Sequence, residues 1–272
     1  MASKLDFALI AGLILGVGTT GVGGCSSKTN AAATDAGATE TGDPVDAAEA
    51  AAPDPLAACT KDPGPTDPGI GPGDGGVEDP VVGGAASFTL AQALSGFPNG
   101  TGVLTAVITT ELGKIVCQLD EAKAPITVAN FVGLARGTRP SQDKLGLWKA
   151  KRFYDGLIWH RVLPGFVVQG GDPQGNGGGG PGYDVPNENH VRQLLGVLSA
   201  AASTTVDDAG LNTFVPSGSQ FYVVVGRGPQ SDYNVFGKCT TDVAQAIASV
   251  STKNEAPVTK IHMQTIEIGR CP

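Results

Sequence analysis

Phe153-Tyr154-Asp155-Gly156-Leu157-Ile158-Trp159-His160-Arg161-Val162-Leu163-Pro164-Gly165-Phe166-Val167-Val168-Gln169-Gly170-Gly171-Asp172-Pro173 is the stretch whose reading decides the fold. It carries two short β-type runs, residues 158–162 and 166–169. Upstream, residues 103–110 and 114–119 are rich in β-formers, and Thr110-Glu111-Leu112-Gly113 between them fits a hairpin turn. In the second run Ile115, Cys117 and Leu119 share one face, with Val116 and Gln118 on the other. A helix follows: Pro125 suits its first position, Val128, Phe131, Val132 and Ala135 recur at helical spacing, and Arg136-Gly137 closes it. Downstream come further β-type runs at 196–199, 220–225, 235–239 and 260–268. A second helix is predicted after Thr240-Thr241-Asp242, with Val243, Ile247 and Val250 on one stripe. Residues 88–94 read as a short helix or an edge strap. Many short strands with two distant helices argue for an all-β domain, a closed antiparallel barrel capped by the helices.

The quoted stretch closely resembles the cyclophilin signature, Phe-His-Arg, two residues, Pro-Gly-Phe, two residues, Gln-Gly-Gly-Asp, with Trp159 replacing the initial Phe. The likeness extends outward in the family's order through residues 113–137, Glu188, Gly196-Val197-Leu198-Ser199, Ser217-Gly218-Ser219-Gln220-Phe221-Tyr222 and Val235-Phe236-Gly237-Lys238. It covers nearly all of 103–268. The resemblance implies an eight-stranded barrel over residues 87–272 and a peptidyl-prolyl cis–trans isomerase acting on proline-containing segments as a monomer. It implies Arg161 as the catalytic residue and a proline pocket lined by Phe166, Val167 and Tyr222, with Tyr233 where many members have His. Gln169 and Gln220 would hold Arg161 and the substrate backbone, and Ala201 would supply backbone contacts beside the groove. No cofactor and no metal is implied.

The chemistry explains why such residues are wanted. A prolyl amide resists rotation by ~18–20 kcal/mol because its nitrogen lone pair is delocalised into the carbonyl. At the twisted transition state the lone pair localises and can accept a hydrogen bond, so a donor aimed there stabilises the transition state selectively. Arg161 is a permanently charged, rigid, donor-only group. One charged hydrogen bond contributes roughly 1.5–3 kcal/mol, so an apolar pocket that desolvates the amide must supply more.

Other motifs read as structure. His160 is expected to be a buried structural histidine, and three His residues without ligand spacing do not make a metal site. Gly175-Asn176-Gly177-Gly178-Gly179-Gly180 runs into Pro181-Gly182 and not a helix, which makes it a flexible loop near the groove and not a phosphate cradle. Ser199 and Ser219 lack the nucleophile-elbow pattern. Departures from the family cluster around the groove. Ala202 stands where Asn is common, residues 203–216 are an atypical stretch, and Val167 and Tyr222 replace Met and Phe. Loop 227–232 lacks the frequent Trp, which points to weak affinity for cyclosporin-like macrocycles. These changes leave a catalytically weak binding module for proline-containing segments as the alternative to an active enzyme.

The formal charge of −8 belongs to one segment. Residues 26–84 carry eleven Asp/Glu against Lys28 and Lys61, whereas 85–272 is near neutral, with no basic patch suited to nucleic acid. Residues 26–86, built from Ala, Thr, Gly, Pro and Asp, predict a disordered, extended spacer. Residues 1–25 read as an export signal: Lys4, an apolar run over 7–17, then Val22-Gly23-Gly24-Cys25. This resembles a bacterial lipoprotein signal, implying acylation of Cys25 and a place in the cell envelope, with Ser26 favouring the outer membrane. Cys59, Cys117, Cys239 and Cys271 allow three full pairings. A Cys59–Cys271 bridge would pin the tether, and free buried thiols suit Cys117 and Cys239 equally well.

Overall fold

The computed structural model describes residues 53–63, 87–189, 191–206, 210–229 and 233–272. The export-signal and Cys25 readings, with most of the spacer, lie outside these residues. The first elements are β1 (Thr60–Lys61), α1 (Leu90–Ala93), β2 (Val103–Thr110), β3 (Gly113–Leu119) and α2 (Pro125–Arg136). Next come β4 (Ser141–Gln142), β5 (Trp148–Lys149), β6 (Leu157–Ile158), β7 (Arg161–Leu163) and β8 (Val167–Gly170). The rest are β9 (Val197–Val206), β10 (Asn212–Val224), β11 (Val235–Cys239), α3 (Asp242–Ala248), β12 (Thr252–Lys253), β13 (Ala256–Pro257), β14 (His262–Met263) and β15 (Thr265–Cys271).

The fold is mostly β-sheet with few helices. Nine strands pair in the order β1-β15-β2-β3-β11-β9-β10-β8-β7, every ladder of that sheet antiparallel. The closed, eight-stranded barrel expected from the sequence does not appear as one continuous ladder: among the described residues no ladder joins the edges β1 and β7. Two features account for the difference. The segment at residues 60–61 adds a strand to β15. The chain entering β7 also divides its pairing, since Leu157–Ile158 bond His262–Met263 as a separate ladder.

Strand alternation sorts the side chains between two clusters. Val162, Val168, Phe221, Val223 and Leu198 turn inward to the main core, where Trp159 and Phe131 meet Phe221 edge-on. Helix α2 fills that core along most of its length, as its apolar spacing requires, and ends at Gly137. Its N-cap, Ala124, makes no side-chain cap. Instead Glu188 accepts from the Ile126 and Thr127 amides, both at 2.7 Å, placing a carboxylate where the helix dipole favours one.

The spacer reading is corrected at its middle. Leu56 is buried, Cys59 is bridged to Cys271, and Asp62 makes a doubly hydrogen-bonded ion pair with Arg136, both side chains buried. Ordering of this polar segment is driven by a covalent bond and one satisfied buried charge pair, neither of which local composition reveals. Cys117 and Cys239 form the second bridge, directly opposite each other on β3 and β11. Within the stretch 203–216, residues 203–206 and 212–216 pair regularly, extending the β9–β10 ladder from Ala202–Pro216 out to Val206–Asn212.

Candidate active site

The face of β7, β8 and β10 turned away from the main core carries most of the side chains predicted from the sequence as the site. Register places Arg161 opposite Gln169, Gln169 opposite Tyr222, and Tyr222 opposite Ser199 of β9. Directly opposed residues share a face. Leu163, Val167 and Val224 make the next row. On this face Val167, Ala201, Tyr222 and Tyr233 are buried in one apolar cluster, and Phe166 packs against it half-buried.

Arg161 is mostly shielded. Its Nε donates to Glu255 Oε2 at 2.7 Å, and Nη1 reaches Gln169 Oε1 at 3.5 Å. Gln169 Nε2 donates to Gln220 Oε1 at 3.0 Å, and Gln220 Nε2 donates to the carbonyls of Gly177 and Gly179, each at 2.8 Å. A polar chain therefore runs from the guanidinium through two buried amides into the Gly-rich loop. That loop is held more firmly than the flexible reading allowed. The buried Asp172 carboxylate accepts from the amides of Gln174, Asn176 and Gly177. At Gly171, φ is +82° and a Cβ would lie 2.3 Å from the Ser219 carbonyl, so only glycine turns the chain into this loop.

The pocket aromatics have fixed neighbours. Tyr222 and Tyr233 meet edge-on at 5.8 Å between centroids, and Phe214 packs on Tyr233 at 5.6 Å. The Tyr222 hydroxyl donates to Gln193 Oε1 at 2.7 Å, and burial pushes its phenol pKa well up, keeping it neutral. Tyr233 is set by its neighbour Asn234, whose amide contacts Thr127, Pro186 and the Glu188 N–H. The Phe166 carbonyl accepts from Val225, and a Cβ at Gly226 would strike the Gly165 carbonyl, so the two loops approach as backbone on backbone.

All eight residues singled out from the sequence thus gather on this face or its polar border. Sequence reasoning missed Leu163, Val224, Phe214, Gln193 and Glu255. The first two keep the period-2 face of Val167 and Tyr222 and were legible. Phe214 lies in the stretch read only as atypical for the family, and Gln193 and Glu255 approach only through the tertiary fold.

His160 points away from this row. It is buried, and neither ring nitrogen has a partner among the described residues. Burial lowers its pKa, and the neighbouring Arg161 charge acts in the same direction against Asp172. The unfolded chain, titrating near ~6.5, then binds the proton more readily than the folded one. Stability from neutral His160 is complete above that pH and is lost as pH falls toward the lowered folded value. Thermal melts at pH 7.5 and pH 5 should show a larger drop for wild type than for H160Q; equal drops would exclude this residue as the cause.

The site thus joins the Arg161 guanidinium to an aromatic and aliphatic cluster on one face of the sheet. The family model described as cyclophilin type peptidyl-prolyl cis-trans isomerase/CLD matches residues 105–268, and the chain belongs to this family. It is similar to the probable peptidyl-prolyl cis-trans isomerase A of Mycobacterium bovis, 36% identical over 179 residues, which cover 61% of this chain and 92% of that protein. A peptidyl-prolyl cis-trans isomerase of Synechococcus elongatus is 44% identical over 140 residues, covering 50% of this chain and 81% of that one. A crystal structure of a Cryptosporidium parvum cyclophilin type peptidyl-prolyl cis-trans isomerase superposes with a TM-score of 0.48 at 24% identity, over 62% of this chain and 99% of that one. The chain is accordingly a peptidyl-prolyl cis–trans isomerase.

Proposed function

We propose that this isomerase acts as a monomer on X–Pro bonds of exported proteins, held on a bacterial envelope membrane through an acylated Cys25. The observation that carries the catalytic part is the row Arg161–Gln169–Tyr222 beside the apolar cluster of Phe166, Val167, Ala201 and Tyr233. The proline ring sits on that cluster, which strips water from the amide and strengthens any charge near it. Arg161 then donates to the prolyl nitrogen as its lone pair localises. Gln169 and Gln220 hold the polar border, and the backbone beside Ala201 accepts the peptide alongside. Bonds are neither made nor broken; only a torsion is passed.

Support for export comes from the two disulfides, which persist in oxidising compartments, and from the signal-like sequence ending at Cys25. The full chain should accelerate cis–trans exchange of a proline tetrapeptide; a folded but silent chain would sink the catalytic reading. For the anchor, C25A should move the protein from the membrane to the soluble fraction of a bacterial host. Retention on the membrane would refute acylation at this position.

A further inference from the structure

The β12–β13 hairpin turns through two residues, Asn254 and Glu255, with φ of 50° and 65°. Two-residue turns with positive φ at both positions favour Asn-Gly. Asn254 conforms, whereas Glu255 occupies a left-handed conformation that a side chain disfavours and Gly would take freely. Conformational cost held at one residue beside a site invites a functional reading.

The Glu255 side chain is where that reading leads. Its Oε2 accepts from Arg161 Nε at 2.7 Å, a charge-assisted bond. The other restraint on the guanidinium, Gln169 Oε1 at 3.5 Å, sits at the outer limit of a hydrogen bond. Glu255 is 48% exposed against 19% for Arg161, and such pairs contribute little to stability. The pair therefore offers poor return as a stabiliser, yet it fixes direction. The turn itself is tied to the same strand, because the Glu255 carbonyl accepts from the Val162 amide at 2.6 Å. Among the described residues Arg161 Nη2 makes no hydrogen bond.

We propose that Glu255 is a positioning residue for catalysis: it holds Arg161 by Nε, with Gln169 at Nη1, so that the Nη2 edge is the donor presented to the twisting prolyl amide. Glu255 touches no substrate and takes no proton. This rests on Arg161 acting as proposed above.

The test is kinetic and uses the oxidised full chain with a proline tetrapeptide. E255Q should lower kcat about three- to tenfold with KM nearly unchanged, since a misaimed donor costs transition-state contact rather than binding. E255G should lower kcat similarly while melting at or above the wild-type temperature, because the turn is relieved. In an R161A background E255Q should have no further effect. Unchanged kcat in E255Q, a loss carried by KM alone, or an undiminished effect on top of R161A would each overturn the assignment. Failure of the underlying reading looks different: wild type itself would then be silent, or R161A as active as wild type.

Discussion

Arg161→Ala lowers kcat and kcat/KM for a proline tetrapeptide together by about 10- to 100-fold, the worth of one charged hydrogen bond made in the transition state. The fold should survive. Arg161 sits on the outer face, and its removal leaves Gln169 with its stronger bond to Gln220 and returns a half-exposed Glu255 to water. Arg161→Lys should recover little, because a point charge cannot keep the Nε contact and offer a second donor in the same plane. The measurement is a coupled isomerisation assay alongside a thermal melt. Activity of the variant within twofold of wild type, at an unchanged melting temperature, would remove Arg161 from the mechanism and leave the apolar cluster to act alone.

The second large effect is on stability. Cys117 and Cys239 close a loop with a sequence separation of 122 residues between two central strands. In the chain-entropy picture, loss of such a link costs roughly 3–5 kcal/mol, most of it through freedom regained by the unfolded chain. The paired variant C117A/C239A should show that drop in denaturant titrations, with the slope altered because the unfolded state expands. A midpoint matching the oxidised wild type would mean that the bridge does not form. Activity per folded molecule should change little, since both cysteines border the main core and not the groove.

What the sequence disclosed follows from how locally each feature is encoded. Helix α2, the β2–β3 turn and the start of α3 rest on periodicity and punctuation within a dozen residues, and all three appear where that pattern puts them. The grouping of the predicted site residues was legible because a short signature carries Arg161 on β7 and Val167 and Gln169 on β8, with Phe166 in the turn between them, and the ladder sets Arg161 opposite Gln169. The misses share a different origin. Residues 54–62 look like spacer because their order comes from Cys271 and Arg136, far away in sequence. The Gly-rich loop looked flexible because three amide hydrogen bonds to Asp172 are invisible in composition. The Thr- and Val-bearing runs at 203–206 and 212–216 were β-forming in their own right, and their departure from the family pattern obscured them.

The Cys59–Cys271 bridge also changes what a protease can accomplish. Every peptide bond between those two cysteines lies inside a covalent ring that includes the whole catalytic body. A single cut between Pro63 and Ser87 opens the ring without parting its halves, so the enzyme stays shackled to whatever holds residues 1–58. Once that cut is made, release takes a further cut, upstream of Cys59 or between the body and Cys271, or a reductant that opens the bridge, which ties shedding of this domain to the redox state around it.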